Sequence, residues 1–202
     1  MAEQATPEDI LSFWFPDDRA RANALWWGKD PALDAEIRAR FGQTRARAKA
    51  GELDHWARSP RGRLAVIIVL DQFSRNLFRG DPETHAADEH ALTLALEGIA
   101  AGDDRALRPI ERLFMYMPLE HAEALEHQER CVQLVRALAD EVAAEPGVDT
   151  PRRDRFASYV DFAIRHRDIV ARFGRFPHRN ALLGRESTPE ELAFLEQPNS
   201  SF

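Results

Sequence analysis

The sequence predicts an all-α protein of stacked antiparallel helical hairpins, and three observations carry that prediction. Helix starts are written repeatedly as a capping residue followed by proline, apolar residues recur at helical spacing, and the one β-branched run has no second run to pair with. Thr6-Pro7-Glu8-Asp9 and Thr188-Pro189-Glu190-Glu191 each place Thr at the N-cap, Pro at the first helical position and carboxylates near the exposed amides. Asp30-Pro31, Ser59-Pro60, Asp81-Pro82 and Thr150-Pro151 repeat the arrangement, while Gly51, Gly102 and Gly174 fall where helices should stop.

Taken in order, the pattern predicts helices over 7–15, 31–49, 60–78, 82–100, 109–117, 118–144, 151–173 and 189–196. Leu33, Ile37 and Phe41 recur at i, i+4 and i+8, and Leu134, Leu138 and Val142 repeat that step beside Cys131 and Val135. Pro118 is expected to divide two helices, because an interior proline removes a hydrogen bond and crowds the preceding turn. The run Leu64-Ala65-Val66-Ile67-Ile68-Val69-Leu70 could be a strand by composition. A lone central strand has no ladder partner, so it is read as a helix that is apolar all round and buried. Ala48-Lys49-Ala50-Gly51 and Ala100-Ala101-Gly102-Asp103 end two helices alike, a faint hairpin rhythm without a repeat consensus.

A chain of 202 residues is long enough for one substantial core, so a single domain over 1–202 is expected. Hydrophobic residues at 44% supply the core formers a disordered chain lacks. A net charge of −7, with no basic arm, argues against nucleic acid or an anionic membrane as partner. Cys131 has no disulfide partner, the N-terminus does not read as a signal peptide, and no apolar run approaches the roughly 20 residues of a membrane span. A cytoplasmic location is the expectation.

The motifs of P-loop proteins, dinucleotide-binding folds, hydrolase elbows and zincins are absent from the sequence. Of the Glu-x-x-His pairs a di-iron bundle requires, only Glu52 to His55 fits, at a helix end. His166-Arg167-Asp168 spells a kinase triplet without the accompanying phosphate-binding parts. No cofactor and no metal site are expected.

Two segments concentrate polar groups at helix ends. In Asp71-Gln72-Phe73-Ser74-Arg75-Asn76-Leu77-Phe78-Arg79-Gly80, Asp71 and Arg75 stand i,i+4, as do Gln72 and Asn76, which predicts one contact within each pair. The second, Arg172-Phe173-Gly174-Arg175-Phe176-Pro177-His178-Arg179-Asn180, again puts Arg-Asn soon after an aromatic residue. Each reads either as a helix end tied down by ion pairs, or as a set of guanidinium forks and amides able to hold a carboxylate or phosphate. His166 shares a helical stripe with Tyr159, Phe162, Ile169 and Phe173, which makes it an interior histidine or a general base; His178 is the other candidate base. Glu120 and His121 follow Pro118, and Glu120, Glu123 and His127 share a face that is either solvated surface or part of a metal site. Trp14, Trp26, Trp27 and Trp56 read as core or as an aromatic-walled pocket.

Phe13-Trp14-Phe15, Trp26-Trp27 before Lys29-Asp30-Pro31, Leu70 to Gly80, Met115-Tyr116-Met117-Pro118-Leu119-Glu120-His121 and Arg172 to Asn180 together resemble a bacterial family, the domain of unknown function numbered nine-two-four. The resemblance runs from about Ile10 to Leu195. It implies a tetratricopeptide-like superhelical arrangement and brings no activity with it. One departure is Ser74, where the family carries Pro; the change implies a more regular helix there.

The functional expectation is a binding module. Asp71, Gln72, Arg75, Asn76, Arg79, Glu120, His121, Arg175, Arg179 and Asn180 are expected to line a site for an anionic small molecule or peptide, with His166 and His178 as candidate catalytic residues. Two alternatives stand beside it. In one, a structural or protein-interaction scaffold uses the Arg-Asn segments only to lock helix ends. In the other, a metal-independent hydrolase or transferase uses His166 or His178 as base.

Overall fold

The computed structural model describes residues 4–201, and every regular element among them is helical. The chain forms two compact units, Met1–Pro118 and Leu119–Phe202.

In the first unit, α1 (Pro7–Trp14) starts at a reciprocal capping box, the Thr6 side chain accepting from the Asp9 amide while Asp9 accepts from the Thr6 amide. Helix α2 (Arg19–Trp27) is capped by Asp18 and α3 (Pro31–Lys49) by Asp30. The sequence reading missed α2, whose apolar residues keep no face: its amphipathicity is weak and only Ala22 and Leu25 are buried.

Helix α4 (Pro60–Ile67), a π-helical turn (Ile68–Gln72) and α5 (Phe73–Leu77) follow one another without a break and form the centre of the unit. Every side chain from Leu64 to Leu70 is fully buried, as expected of a helix apolar all round. Helices α1 and α6 (Asp88–Ala101) pack on α4, while α3 packs on the π turn and α5. The π turn departs from the regular helix anticipated around Ser74: the Phe73 amide donates to the Ile68 carbonyl, one residue further back than in an α-helix. The predicted helix over 82–100 likewise divides into a 3-10 turn (Pro82–His85) and α6.

Helix α7 (Pro109–His121) continues through Pro118, which corrects the expected break there. Proline's fixed φ is itself helical, and the interruption costs one hydrogen bond. The helix ends three residues later, at His121, and the fully buried Gln128 amide caps that end by donating to the carbonyls of Glu120 at 2.6 Å and Ala122 at 2.7 Å.

In the second unit, α8 (Leu125–Ala143) and α9 (Thr150–Phe173) pack along each other as the antiparallel hairpin that their short connection demands. The α9 cap is Asp149 rather than Thr150, its carboxylate accepting from the Arg152 amide at 2.8 Å. Gly174 ends α9 at φ 71°, a left-handed conformation that favours glycine. A 3-10 turn (Pro177–Arg179) follows, and α10 (Pro189–Leu195) opens with the Thr188/Glu191 capping box that the sequence announces.

Candidate functional site

The Asp71 to Gly80 segment lies wholly in the first unit, and its polar groups turn on one another. Asp71 is buried and pairs with Arg75 at 3.1 Å, the i,i+4 contact the spacing predicts. Arg75 also donates to the Asp71 carbonyl at 2.8 Å and pairs with Asp88 at 3.1 Å, and His85 closes the chain on Asp88 at 3.0 Å. The second predicted pair does not form. Gln72 donates to Asp71, while Asn76 donates to Asp34 at 2.7 Å, so each amide is taken by a carboxylate instead of by the other. Arg79 joins Asn76 on Asp34, with Nε 2.6 Å from Oδ2. Sequence reasoning missed Asp34 and the buried Arg45, whose Nε donates to the buried Ser74 hydroxyl at 3.0 Å and whose guanidinium also pairs with Glu83. Ser74 therefore does more than release the backbone: its hydroxyl helps to hold an arginine inside the unit.

The remaining candidates lie in the second unit. Arg175 makes a bidentate pair with Glu191, at 2.7 and 2.8 Å. Asn180 donates to the same carboxylate at 3.3 Å and to the Ser187 hydroxyl at 3.0 Å. Hydrogen bonding from Arg175 holds the Glu191 carboxyl down at about 2, with the Thr188 amide and Asn180 acting in the same direction against burial. Glu123 points to Arg185, at 2.9 Å, and to the Phe176 amide, at 2.8 Å. Burial raises its carboxyl, and these donors more than offset that, leaving it below the ordinary range. Glu123 is thus turned away from a shared site with Glu120 and His127. Among the described residues no group of three or more His, Cys, Asp or Glu side chains could hold a metal ion.

A cluster of titratable groups surrounds Phe176. His166 is 4% exposed, with Nδ1 2.9 Å from the Phe162 carbonyl and 3.5 Å from the Glu120 carboxylate. The His121 ring centroid is 6.3 Å from that of His166, and Phe176 lies 5.6 Å from both His166 and His178. Arg179 donates to the His121 carbonyl at 2.9 Å, and its guanidinium lies over the Phe176 ring at 4.4 Å. Burial pushes the His166 imidazole down to about 3, and the positive charge of His121, Arg179 and His178 pushes the same way, against the hydrogen bond to Phe162. Cys131, 4.0 Å from Glu120, has its thiol pushed up by burial and then by the Glu120 charge, which keeps it an unreactive thiol.

Of the four tryptophans only Trp14 is buried; Trp26 and Trp56 are half-buried and Trp27 is exposed. Trp14 meets Phe73 and Phe114 edge-on, Trp26 donates to the Trp14 carbonyl at 2.7 Å, and Trp27 stacks on Phe114.

Residues 10–199 match the family described as bacterial proteins of unknown function, DUF924. The chain belongs to that family. A solved structure of a protein of unknown function from Agrobacterium tumefaciens resembles this DUF924 member with a TM-score of 0.79 and 38% identity, over 95% of this chain and 97% of that one. No curated protein matches. Among the described residues of this DUF924 protein no helix is long and apolar enough to cross a membrane.

Proposed function

We propose that this DUF924 protein is a binding module that takes an anionic small molecule or peptide at the imidazole and guanidinium cluster of its second unit. The observation that supports this is a geometric cluster: His166 and His178 each lie 5.6 Å from the Phe176 ring, the Arg179 guanidinium lies over that ring at 4.4 Å, and His121 stands 6.3 Å from His166, which is itself beside the Glu120 carboxylate. Holding like charges together disfavours the protonated imidazoles, and an anion seated among them relieves that repulsion. His121 and His178 are only partly buried, which gives a ligand access to them, and Arg179 supplies the planar fork that carboxylates and phosphates fit. In this reading the partner is neither nucleic acid nor membrane.

The test follows the ring resonances of His121, His166 and His178 by NMR during titration with inorganic phosphate and with acetate. Saturable shifts at His121 and His178, with their titration midpoints raised by the bound anion, are expected; Arg179→Gln should weaken the effect by about ten-fold. Rings that stay unmoved at millimolar phosphate overturn the proposal.

A second reading draws on a different observation. In both Arg-Asn segments an asparagine and an arginine already share one carboxylate, Asp34 for Asn76 and Arg79, Glu191 for Asn180 and Arg175. On this reading the segments lock helix ends, and function passes to partner proteins. Catalysis draws less support, because a base whose conjugate acid titrates at about 3 takes few protons near neutrality, which leaves only His178 of the two candidates.

A further inference from the structure

A surface hollow of about 480 Å³ opens in the first unit between the N-terminal half of α3 and the end of α5. Its volume falls within the roughly 300–1,000 Å³ range of small-molecule sites. The apolar part of its lining is Pro31, Ala35, Ala39 and Leu77, the first three standing i, i+4 and i+8 on one stripe of α3. Two arginines line it as well. Arg79 is neutralised by Asp34, which Asn76 also holds. Arg38 is different: it is exposed, donates from Nη2 to the Leu77 carbonyl and lies over the Phe78 ring at 5.9 Å, yet no carboxylate among the described residues pairs with it. Two arginines against one aspartate leave the hollow with one uncompensated positive charge, mounted on a fixed guanidinium beside an apolar wall.

We propose that this hollow is a binding site for a small monocarboxylate carrying a branched apolar group. The carboxylate pairs with Arg38, one negative charge against one positive, and the alkyl group covers Ala35, Ala39 and Leu77. The site is separate from the histidine cluster and does not depend on it.

Amide resonances of the whole chain, followed during titration with N-acetylleucine and with N-acetylleucinamide, test the assignment. The acid is expected to shift Ala35, Ala39 and Leu77 saturably, and the uncharged amide to leave them unmoved. Arg38→Gln should weaken the acid by about ten-fold, and Arg38→Lys, which keeps the charge but loses the fork, by less. Ala39→Trp changes an exposed position without touching charge, and it should abolish binding by filling the hollow. Equal binding of acid and amide overturns the proposal. So do an Arg38→Gln variant that binds like the parent and an acid that shifts only His121 and His178. An N-acetylated tripeptide ending in leucine should bind no better than N-acetylleucine; a gain of about ten-fold or more would overturn the small-molecule source in favour of a peptide C-terminus.

Discussion

Asn76 and Asn180 show at the scale of single residues how a polar motif becomes a fold lock. Each side-chain amide reaches a carboxylate brought from another element, and an arginine from its own segment completes the pair, Arg79 on Asp34 and Arg175 on Glu191. Glu191 has the clearer consequence for pH. Its carboxyl is held at about 2 in the folded chain against an ordinary 4.5, so the stability it contributes is present above about 4.5 and is lost as pH falls towards 2. Glu191→Gln should therefore lower the Tm at pH 7 while flattening its decline between pH 5 and 2. Parallel melting curves of parent and variant across that window would refute the linkage. His166 acts in the same direction: its imidazole stays neutral in the folded chain down to about 3 but is protonated in the unfolded chain below 6.5, so it too costs stability as pH falls through that window. The spacing of Asp71 and Arg75 made their pairing legible in advance. Asp34 and Glu191 were not, because partners 42 and 11 residues away meet only once the helices are packed.

At the scale of elements, capping chemistry was the most readable signal. Thr6 and Thr188 cap as written, and Gly174 stops α9 in the left-handed conformation. What local sequence does not encode is where a helix yields to its surroundings. Pro118 is carried inside α7, and the end falls at His121 because Gln128, from α8, supplies the donors. Gln128→Leu should strand those carbonyls and destabilise the protein by about 1–3 kcal/mol in urea unfolding. Gly62 makes the complementary point: a Cβ built there would lie 2.1 Å from the Trp56 carbonyl oxygen. Gly62→Ala should thus cost about 1–3 kcal/mol even though alanine is the better helix former. A variant as stable as the parent would mean that the 3-10 turn Asp54–Arg58 moves aside freely.

At the scale of the whole molecule, the chain forms two compact units, and α7 carries it from one to the other. The single-domain expectation predicts one cooperative thermal transition, with calorimetric and van't Hoff enthalpies in agreement. Two separable transitions in scanning calorimetry would assign each unit its own stability. The sequence by itself determined the helical class, the helix starts capped by Thr6, Asp30, Ser59 and Thr188, and the burial of Leu64 to Leu70, because capping, proline placement and apolar period act within a few residues of one another. Only the tertiary structure decided the π turn over Ile68–Gln72, the continuation of α7 through Pro118 and the gathering of His121, His166 and His178 near Phe176. Those features depend on groups far apart in the chain, whose pairing energies exist only when packing has excluded water and set the distance between them.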